Sequence, residues 1–232
     1  MCLFSPKIKI AESGLFDGFT DFHCHILPGV DDGFRKMEDS LEALSLYEAA
    51  GIRSVWLTPH IMEDMPNTVE ELEQRFDELK KAYTGNVELH LAAENMMDNL
   101  FSERLASNNL LPIFGQRLLV ETSYYNPPMD LYSLLRKVKS IGYYPLLAHP
   151  ERYIYMEDKD YKALREEGVQ FQLNLGSMVG AYGDTAKIKA ERLLSGGYYS
   201  VLGTDLHSLK QWHALQEGKI KKKVFELMKS IQ

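Results

Sequence analysis

The sequence predicts an α/β protein in which seven parallel strands, separated by helices, close into a (β/α)7 barrel. Two observations support this fold class. Apolar, β-rich runs alternate along the chain with segments of helical periodicity, as in repeated βα units. Polar side chains of metal-ligand type also follow the predicted strands. Ligand groups at the ends of many different strands are typical of a barrel's C-terminal face, whereas an open sheet concentrates them at one switch point.

The predicted elements follow one another regularly. The segments with helical spacing are 37–50, 69–83, 131–141, 159–167 and 185–194, with a weaker helix at 100–106 and a closing helix at 224–231. The seven predicted strands are 18–25, 53–59, 87–93, 116–120, 143–148, 169–175 and 198–203.

Some helix boundaries have a local cause in the sequence. The pairs Asp39-Ser40 and Asn67-Thr68 carry side-chain oxygens that can cap a helix N-terminus. Gly51 and Gly142 follow helical segments, where a left-handed residue ends a helix. The basic run KIKKK at 219–223 is interpreted as a solvated helix face.

Length and composition are those of a globular protein. The chain has 232 residues, of which 45% are hydrophobic and 25% charged, so a substantial core is expected. A net charge of -7 argues against nucleic-acid binding, which needs a basic face. Cys2 and Cys24 are too few for a disulfide framework. Without an apolar signal region or spanning segment, the sequence predicts a soluble, cytoplasmic protein that does not insert into membranes.

The first candidate ligands lie in Asp21-Phe22-His23-Cys24-His25. Since alternate strand residues share a face, Asp21, His23 and His25 point to one side and Cys24 to the other. Two imidazoles so placed can bind one metal ion. Neither cysteine is followed by the Cys-x5-Arg pattern of thiol-dependent phosphatases, so thiol catalysis is not expected.

Further candidates follow later strands. A carboxylate at the end of an apolar strand needs a cation if it is buried, and histidines at the same edge can share that cation. Nine ligands are too many for one tetrahedral zinc ion and indicate two or three ions of Mn, Fe or Zn type. Asp21 and Asp31 are predicted to support the ligand residues without binding a metal ion themselves. The nine candidate ligands are His23, His25, Asp32, His60, Glu94, Glu121, His149, Asp205 and His207.

In this order the motifs DFHCHILPGVDDG, TPH, AAE, VE, AHPERY and GTDLH resemble the PHP (polymerase and histidinol phosphatase) superfamily. They are most similar to its bacterial protein-tyrosine-phosphatases of the CpsB/YwqE type, linked to capsule and exopolysaccharide control. The resemblance covers about 21–207 and implies a distorted, TIM-like (β/α)7 barrel of the PHP type. It further implies one phosphatase domain over 1–232, with 1–17 as an N-terminal extension.

The resemblance also implies a cofactor and a ligand arrangement. Three divalent ions are expected, with Mn²⁺ preferred over Fe or Zn. Arg152 matches the family's phosphate-contacting arginine. The first ion would be bound by His23, His25, Glu94 and Asp205, the second by Glu94, Glu121 and His149, and the third by Asp32, His60 and His207.

The function that the resemblance implies is hydrolysis of phosphotyrosine by a metal-bound hydroxide. The expected substrate is the C-terminal tail of a bacterial tyrosine kinase that controls capsule or exopolysaccharide synthesis. One departure concerns the stretch after the final DxH, where the family often has an arginine and this chain has Lys210 and His213. Lys210 and Arg152 are therefore predicted substrate contacts. The tyrosines that could stack on a phosphotyrosine ring are Tyr124, Tyr125, Tyr153 and Tyr155.

Three alternatives remain open from the sequence. Histidinol-phosphate phosphatase would use the same metals on a small substrate. A metal-dependent exonuclease is opposed by the acidic net charge. A non-catalytic protein that binds a kinase tail is opposed by the full set of nine ligands, which a binding protein does not need.

Overall fold

The computed structural model describes residues 6–231 as a mixed α/β fold with parallel sheets. Cys2 lies outside these residues. The helices are α1 Met37–Ala50, α2 Val69–Ala82, α3 Phe101–Ser107, α4 Leu131–Ser140, α5 Asp158–Glu166, α6 Leu175–Val179, α7 Gly183–Ser195, α8 Leu209–Glu217 and α9 Lys222–Lys229. The strands are β1 Lys7–Lys9, β2 Thr20–Cys24, β3 Ser54–Leu57, β4 His60–Ile61, β5 Glu88–Leu91, β6 Glu94–Met96, β7 Arg117–Glu121, β8 Tyr144–Leu147, β9 Gln170–Asn174, β10 Tyr199–Gly203 and β11 Lys219–Lys221.

Two parallel sheets contain all but two of these strands. One has the order β10-β9-β8-β7-β6-β4 and the other has the order β2-β3-β5. Parallel neighbours joined by helices confirm the predicted α/β class. Because all the parallel strands run in one direction, their carboxyl ends lie together at one edge.

The two sheets are joined where predicted strands are interrupted. The prediction placed one strand at 53–59, but Thr58-Pro59 separates β3 from β4, and Ala92-Ala93 separates β5 from β6 in the same way. Main-chain hydrogen bonds span the break, from Ala92 N to Leu57 O at 2.9 Å and from Glu94 N to Pro59 O at 3.0 Å. The interruption therefore preserves the main-chain pairing between the two strands, and it places His60 and Glu94 next to each other.

A second junction lies between the ends of β2 and β10. His25 N donates to Leu206 O at 2.9 Å, and Asp205 N donates to His23 O at 2.7 Å. The chain segments that carry four of the candidate ligands are thus hydrogen-bonded to each other through their main chains.

Both faces of the parallel sheets are buried, as is usual for such sheets. Leu118 and Val120 pack into the large core shared with the helices, whereas Leu119 between them belongs to a separate cluster. This division follows from the alternation of side chains along a strand. The smaller cluster consists of Ala92, Ile113, Leu119, Leu146, Ala148 and Val201, with Phe22 and Trp56 packed against it.

Both predicted helix starts, at 37 and 69, are confirmed, but only one of the two predicted N-terminal caps is. Thr68 caps α2, with its hydroxyl accepting from Glu71 N at 3.2 Å and the Glu71 carboxylate accepting from Thr68 N. Asp39-Ser40 does not cap α1, because both residues lie inside the first turn of a helix that begins at Met37, as predicted. The Ser40 hydroxyl instead donates to Lys36 O at 3.2 Å, a back-bond inside the first turn.

The basic run 219–223 is not one solvated helix face. Lys219–Lys221 forms β11, which pairs antiparallel with β1, and only Lys222 and Lys223 begin a helix. The reason is the alternation in Lys-Ile-Lys, which buries Ile220 and leaves both flanking lysines exposed. The β1–β11 ribbon and the helices α6 and α8 were not predicted. Within residues 6–231, no helix combines the length and the apolar character that crossing a bilayer requires.

Candidate metal centre

The nine candidate ligands meet at the carboxyl-terminal edge of the parallel strands. Their ligand atoms form three overlapping groups, and within each group all of these atoms lie within 4.8 Å of one another. The residues come from β2, β4, β6 and β7 and from the segments that follow β2, β8 and β10. The groups are His23, Glu94, His149 and Asp205; His60, Glu94 and Glu121; and His25, Asp32, His60 and His207.

This grouping differs from the family-based expectation at three histidines. His149 groups with His23 and Asp205, His25 groups with Asp32, and His60 belongs to the Glu121 group as well as to the Asp32 group. His25 Nε2 also lies 3.3 Å from a carboxylate oxygen of Glu94 and 3.3 Å from one of Asp205, so His25 borders the first group as well as the third.

Glu94 lies at the centre of the arrangement. Its Oε2 is 3.1 Å from His23 Nε2 and 3.2 Å from His60 Nδ1, and its Oε1 is 3.0 Å from His149 Nε2. Burial by itself would raise the pKa of this carboxyl, but His23 and His60 outweigh burial and hold the pKa well below its usual range. Glu94 is therefore an anion that faces two of the three groups.

Several buried polar atoms among residues 6–231 have no hydrogen-bond partner. They include His60 Nδ1, Glu121 Oε1 and His149 Nδ1. His60 Nδ1 and Glu121 Oε1 are 3.0 Å apart, but their orientation does not make a hydrogen bond. Unpaired buried nitrogen and oxygen lone pairs are costly unless a cation binds them. Mixed imidazole and carboxylate donors fit divalent ions such as Mn, Fe or Zn.

The protonation of the histidines also reflects buried negative charge. Burial would lower the pKa of His23, but Glu94 and Asp205 raise it to about 9. Burial and the Arg152 charge lower the pKa of His149 to about 4, so its imidazole is neutral at physiological pH. The buried carboxylates of Glu94 and Asp205 are thus stabilised by nearby positive charge, which either protons or metal ions can supply.

The ligand histidines are oriented by partners behind them. His25 Nδ1 contacts Asp31 Oδ2 at 2.8 Å, and His23 Nδ1 contacts Gln172 Oε1 at 3.0 Å, so the Nε2 atoms face the centre. Asp31 also accepts from His60 N and Gly33 N, at 3.1 and 2.9 Å. Such contacts fix the orientation of metal-binding imidazoles. Asp31 thus contacts the candidate ligand His25, and its predicted role in orienting a metal ligand stays a prediction.

Two ligands have a strained main chain. His149 and Asp205 have φ values of 33° and 53°, a region that non-glycine residues rarely adopt. Each is the second residue after its strand, β8 or β10. The strained conformation turns each side chain sharply at the strand end, and such strain is characteristic of functional sites.

Asp21 has a more structural position than Asp31. Its buried carboxylate accepts from Tyr47 Oη at 2.7 Å and from Thr204 N and Thr204 Oγ1 at 2.9 and 2.7 Å. It also accepts from His23 N at 3.2 Å. Asp21 therefore connects β2, α1 and the residue before Asp205, and no contact to a ligand side chain is found for it among the described residues.

We expect Asp21→Ala to destabilise the metal-free protein by about 3 kcal/mol, because it leaves several buried donors without an acceptor. Denaturant unfolding in the presence of EDTA would measure this change, with exposed Asp17→Ala as the control. A loss equal to that of the control would show that the Asp21 contacts do not stabilise the fold.

Arg152 is held beside the ligands by a carboxylate and two aromatic rings. Its Nη1 donates to Asp205 Oδ2 at 2.6 Å. Its guanidinium carbon lies 3.9 Å from the ring centroid of Tyr182 and 4.5 Å from that of Tyr124. These contacts to a carboxylate and two rings restrain the position of the guanidinium beside the candidate ligands.

These groups surround a cavity of about 400 Å³. Of the predicted substrate contacts, Arg152 lines the cavity, whereas Lys210 and Tyr125 do not and are exposed. Among the described residues, Arg152 is the only lysine or arginine in the lining. The lining residues are Asp32, His60, Glu94, Tyr124, His149, Arg152, Tyr182, Asp205, His207 and Gln211.

The other predicted aromatic residues have structural contacts. Tyr153 is fully buried, and Tyr155 Oη lies 2.6 Å from Thr122 Oγ1. Cys24 is buried, with Sγ 3.6 Å from Trp56 O, and burial raises the pKa of its thiol well above the usual value. A buried, protonated thiol outside the cavity agrees with the prediction that thiol catalysis is not used.

The sequence analysis did not identify Tyr182 and Gln211. Gln211 Nε2 donates to Asp205 O at 2.9 Å, and Gln211 Oε1 accepts from His207 N at 2.7 Å. Tyr182 Oη contacts Asn174 Nδ2 and Gln211 Nε2, each at 3.3 Å. Neither residue follows a strand directly, so the strand-end pattern could not identify it.

Comparison with known proteins places this site in a family. The capsular polysaccharide synthesis family CpsB/CapC matches residues 19–225, which is most of the chain. This chain belongs to the CpsB/CapC family. The match includes all nine candidate ligands and Arg152, and it confirms the resemblance inferred from the sequence motifs.

Individual relatives agree with this assignment. The tyrosine-protein phosphatase YwqE of Bacillus subtilis is 28% identical over 199 residues, covering 82% of this chain and 78% of YwqE. The putative tyrosine-protein phosphatase CapC of Staphylococcus aureus is 24% identical over 196 residues, covering 82% and 77%. CpsB of Streptococcus pneumoniae, a tyrosine-protein phosphatase, is 26% identical over 201 residues, covering 82% and 83%.

Solved structures agree as well. One from a study of YwqE from Bacillus subtilis and CpsB from Streptococcus pneumoniae, described as metal-dependent tyrosine phosphatases, superposes with a TM-score of 0.77. It is 26% identical and covers 91% of this chain and 87% of its own. The lactonase Lmo2620 from Listeria monocytogenes shares only the fold, with a TM-score of 0.51, 12% identity and coverage of 88% and 83%.

Proposed function

We propose that this protein is a metal-dependent protein-tyrosine phosphatase acting in capsule or exopolysaccharide synthesis. The observation that carries this proposal is the gathering of nine candidate ligand residues, six of which line one cavity together with Arg152, in a chain of the CpsB/CapC family. Relatives named as tyrosine-protein phosphatases supply the substrate class.

The nine residues predicted from the sequence are proposed as the metal ligands, and three divalent ions, Mn²⁺ above Fe or Zn, are proposed as the cofactor. Three groups of ligand atoms, linked because His60 and Glu94 each belong to two of them, support a cluster of ions rather than a single ion. When bound, such ions supply an activated water and stabilise negative charge on phosphoryl oxygens.

The charges of the site suit a phosphate monoester. The four ligand carboxylates and three divalent ions would leave about two positive charges, to which Arg152 adds one. Arg152 is proposed to bind the phosphoryl oxygens, because it lines the cavity and its guanidinium is held there by Asp205 and by the rings of Tyr124 and Tyr182. Lys210 and Tyr125 remain proposed contacts with parts of the substrate outside the cavity.

The departing tyrosine oxygen needs little acid catalysis from the protein. A tyrosine phenolate has a conjugate acid with a pKa of about 10, so it can depart without full protonation. The cavity lining offers the hydroxyls of Tyr124 and Tyr182, and burial raises the pKa of Tyr182 to about 12, so both are uncharged donors. The aromatic ring of Tyr124 can contact a substrate ring at the mouth.

We expect Tyr182→Ala to lower kcat/KM for p-nitrophenyl phosphate about tenfold, because Arg152 loses the ring that lies closest to it. Tyr182→Phe keeps this ring and should stay within about threefold of the wild type. Steady-state kinetics on metal-replete enzyme would measure both. Equal losses in the two variants would mean that the hydroxyl of Tyr182, and not its ring, supports activity.

The fold is proposed to be a distorted seven-stranded barrel forming one domain over 1–232, with 1–17 as an extension. Support comes from treating β3–β4 and β5–β6 as two interrupted strands and from the hydrogen bonds between the ends of β2 and β10. The proposed partner is the phosphorylated C-terminal tail of a bacterial tyrosine kinase. The cytoplasmic location stays a prediction from the sequence.

The test compares kcat/KM for a phosphotyrosine peptide and for histidinol phosphate, with Mn²⁺ and with EDTA. We expect the peptide to be preferred and its hydrolysis to be lost with EDTA. Preference for histidinol phosphate would make the protein a small-molecule phosphatase. If the metal-replete enzyme hydrolyses neither substrate, the phosphatase proposal is wrong, and exonuclease or binding functions would then be examined.

A further inference from the structure

The segments that follow β7 and β8, next to the cavity residues Tyr124 and Arg152, carry exposed apolar side chains. We call these residues the apolar rim: Tyr125, Pro127, Pro128, Met129 and Ile154. The side chain of Met129 is fully exposed, and Tyr125 and Ile154 are 69% and 62% exposed. Large apolar side chains clustered on a surface are typical of sites that bind another molecule.

A groove extends from the apolar rim along the protein. Its volume is about 680 Å³, and it lies between the segment that follows β6 and the segment that follows β7. Met96, Met97, Pro128 and Met129 contribute apolar lining, and the charged groups that line it are the carboxylates of Asp98 and Asp130. Methionine-rich surfaces adapt their shape to different apolar side chains.

The rim is continuous with the cavity through a single loop. Tyr124 lines the cavity, whereas its neighbours Ser123 and Asn126 line the groove. Ile154 N donates to Tyr124 O at 3.0 Å, so Ile154 is fixed beside the residue that forms the cavity wall. A polypeptide whose side chain enters the cavity at Tyr124 therefore meets the apolar rim within one or two residues.

Other exposed apolar side chains lie elsewhere. Tyr144 begins β8 and Phe114 precedes β7, so both lie at the amino-terminal ends of the strands, away from the cavity. Ile188, which is 66% exposed, lies on α7 beside the β1–β11 ribbon. The cluster at the cavity mouth is thus a local feature and not a general property of the surface.

We propose that the apolar rim and the groove bind the polypeptide next to the phosphotyrosine of a substrate protein. This inference rests on the proposed function and adds a sequence preference to it. The occupant is an extended segment with an apolar side chain close to the phosphotyrosine and no acidic residue there, since the exposed carboxylate of Asp130 would repel one, whereas Asp98 is paired with Arg104 at 2.6 Å. The two consecutive prolines fix the loop, which lowers the entropy lost on binding.

The test measures kcat/KM for a phosphotyrosine peptide with leucines on both sides of the phosphotyrosine, and for free phosphotyrosine. The double variant Met129→Ser/Ile154→Ser should lower the ratio of the two values about tenfold, because two apolar contacts to the peptide are lost. Ile188→Ser is the matched control and should leave this ratio within about twofold. All the substituted side chains are exposed, so folding is preserved.

A second arm varies the peptide. Aspartates in place of the leucines should lower kcat/KM about tenfold for the wild type and by less for the double variant, in which the apolar contacts are already lost and only the repulsion by Asp130 remains. An unchanged ratio in the double variant, or equal rates for both peptides, would overturn the docking proposal while free phosphotyrosine is still hydrolysed. No hydrolysis of free phosphotyrosine by metal-replete wild type would overturn the proposed function and the docking proposal with it.

Discussion

Replacing Glu94 by glutamine should lower kcat/KM by at least about 10³-fold and reduce the metal content of the protein. The side chain lies at the centre of the ligand arrangement, with one oxygen near His23 and His60 and the other near His149. Glutamine keeps the shape but offers one weaker oxygen and no charge, so two ion sites are weakened together. A 10³-fold loss corresponds to about 4 kcal/mol of transition-state stabilisation. Kinetics and elemental analysis on the same samples would measure both effects.

Glu88→Gln is the matched control, because Glu88 is an exposed carboxylate on β5, the strand that directly precedes β6. It should retain activity and metal. If Glu94→Gln kept the metal content and most of the activity, the proposed ligand set would be wrong at its central member.

The second large effect is expected at Arg152. Arg152→Ala should lower kcat/KM about 10²- to 10³-fold, because no other lysine or arginine among residues 6–231 lines the cavity. Arg152→Lys should recover little, since an ammonium group is a point charge that cannot present a planar fork between two rings. The loss should appear in kcat as well as KM if the arginine binds the transition state more strongly than the substrate.

Arg165 provides the comparison for this experiment. It also stacks on a tyrosine, with its guanidinium carbon 4.7 Å from the Tyr198 ring centroid, but it lies on α5 outside the cavity. Arg165→Ala should leave kcat/KM within about twofold. Full activity in Arg152→Lys would show that positive charge alone is needed and that the stacked geometry has no catalytic role.

The family often has an arginine after the final DxH, and in this chain a neutral residue faces the cavity there. The sequence analysis offered Lys210 for that role, but Lys210 is exposed outside the cavity and Gln211 lines it instead. The Gln211 amide holds the main chain of Asp205 and His207 in place. The helix α8 therefore presents a neutral, hydrogen-bonding residue where a charge was expected, and Arg152 carries the positive charge of the lining.

What could be predicted from the sequence follows from short-range rules. Alternation along a strand placed His23 and His25 on one side and Cys24 on the other, and parallel strands bring their carboxyl ends to one edge. These two rules were enough to collect the ligands without knowledge of any distance. Local rules failed where one pattern fits both a helix and a strand, as in Lys-Ile-Lys at 219–221. This segment is a strand because it pairs with residues 7–9, which lie at the other end of the chain.

The sequence by itself determined the α/β class, the candidate ligands and the arginine, because strand periodicity and residue chemistry are local properties. Only the tertiary structure decided which ligands are neighbours, that Tyr182 and Tyr124 enclose Arg152, and that Tyr125 and Met129 form an apolar rim outside the cavity. These relations join residues tens of positions apart, and their distances depend on how loops pack against one another. No rule of spacing along the chain contains that information.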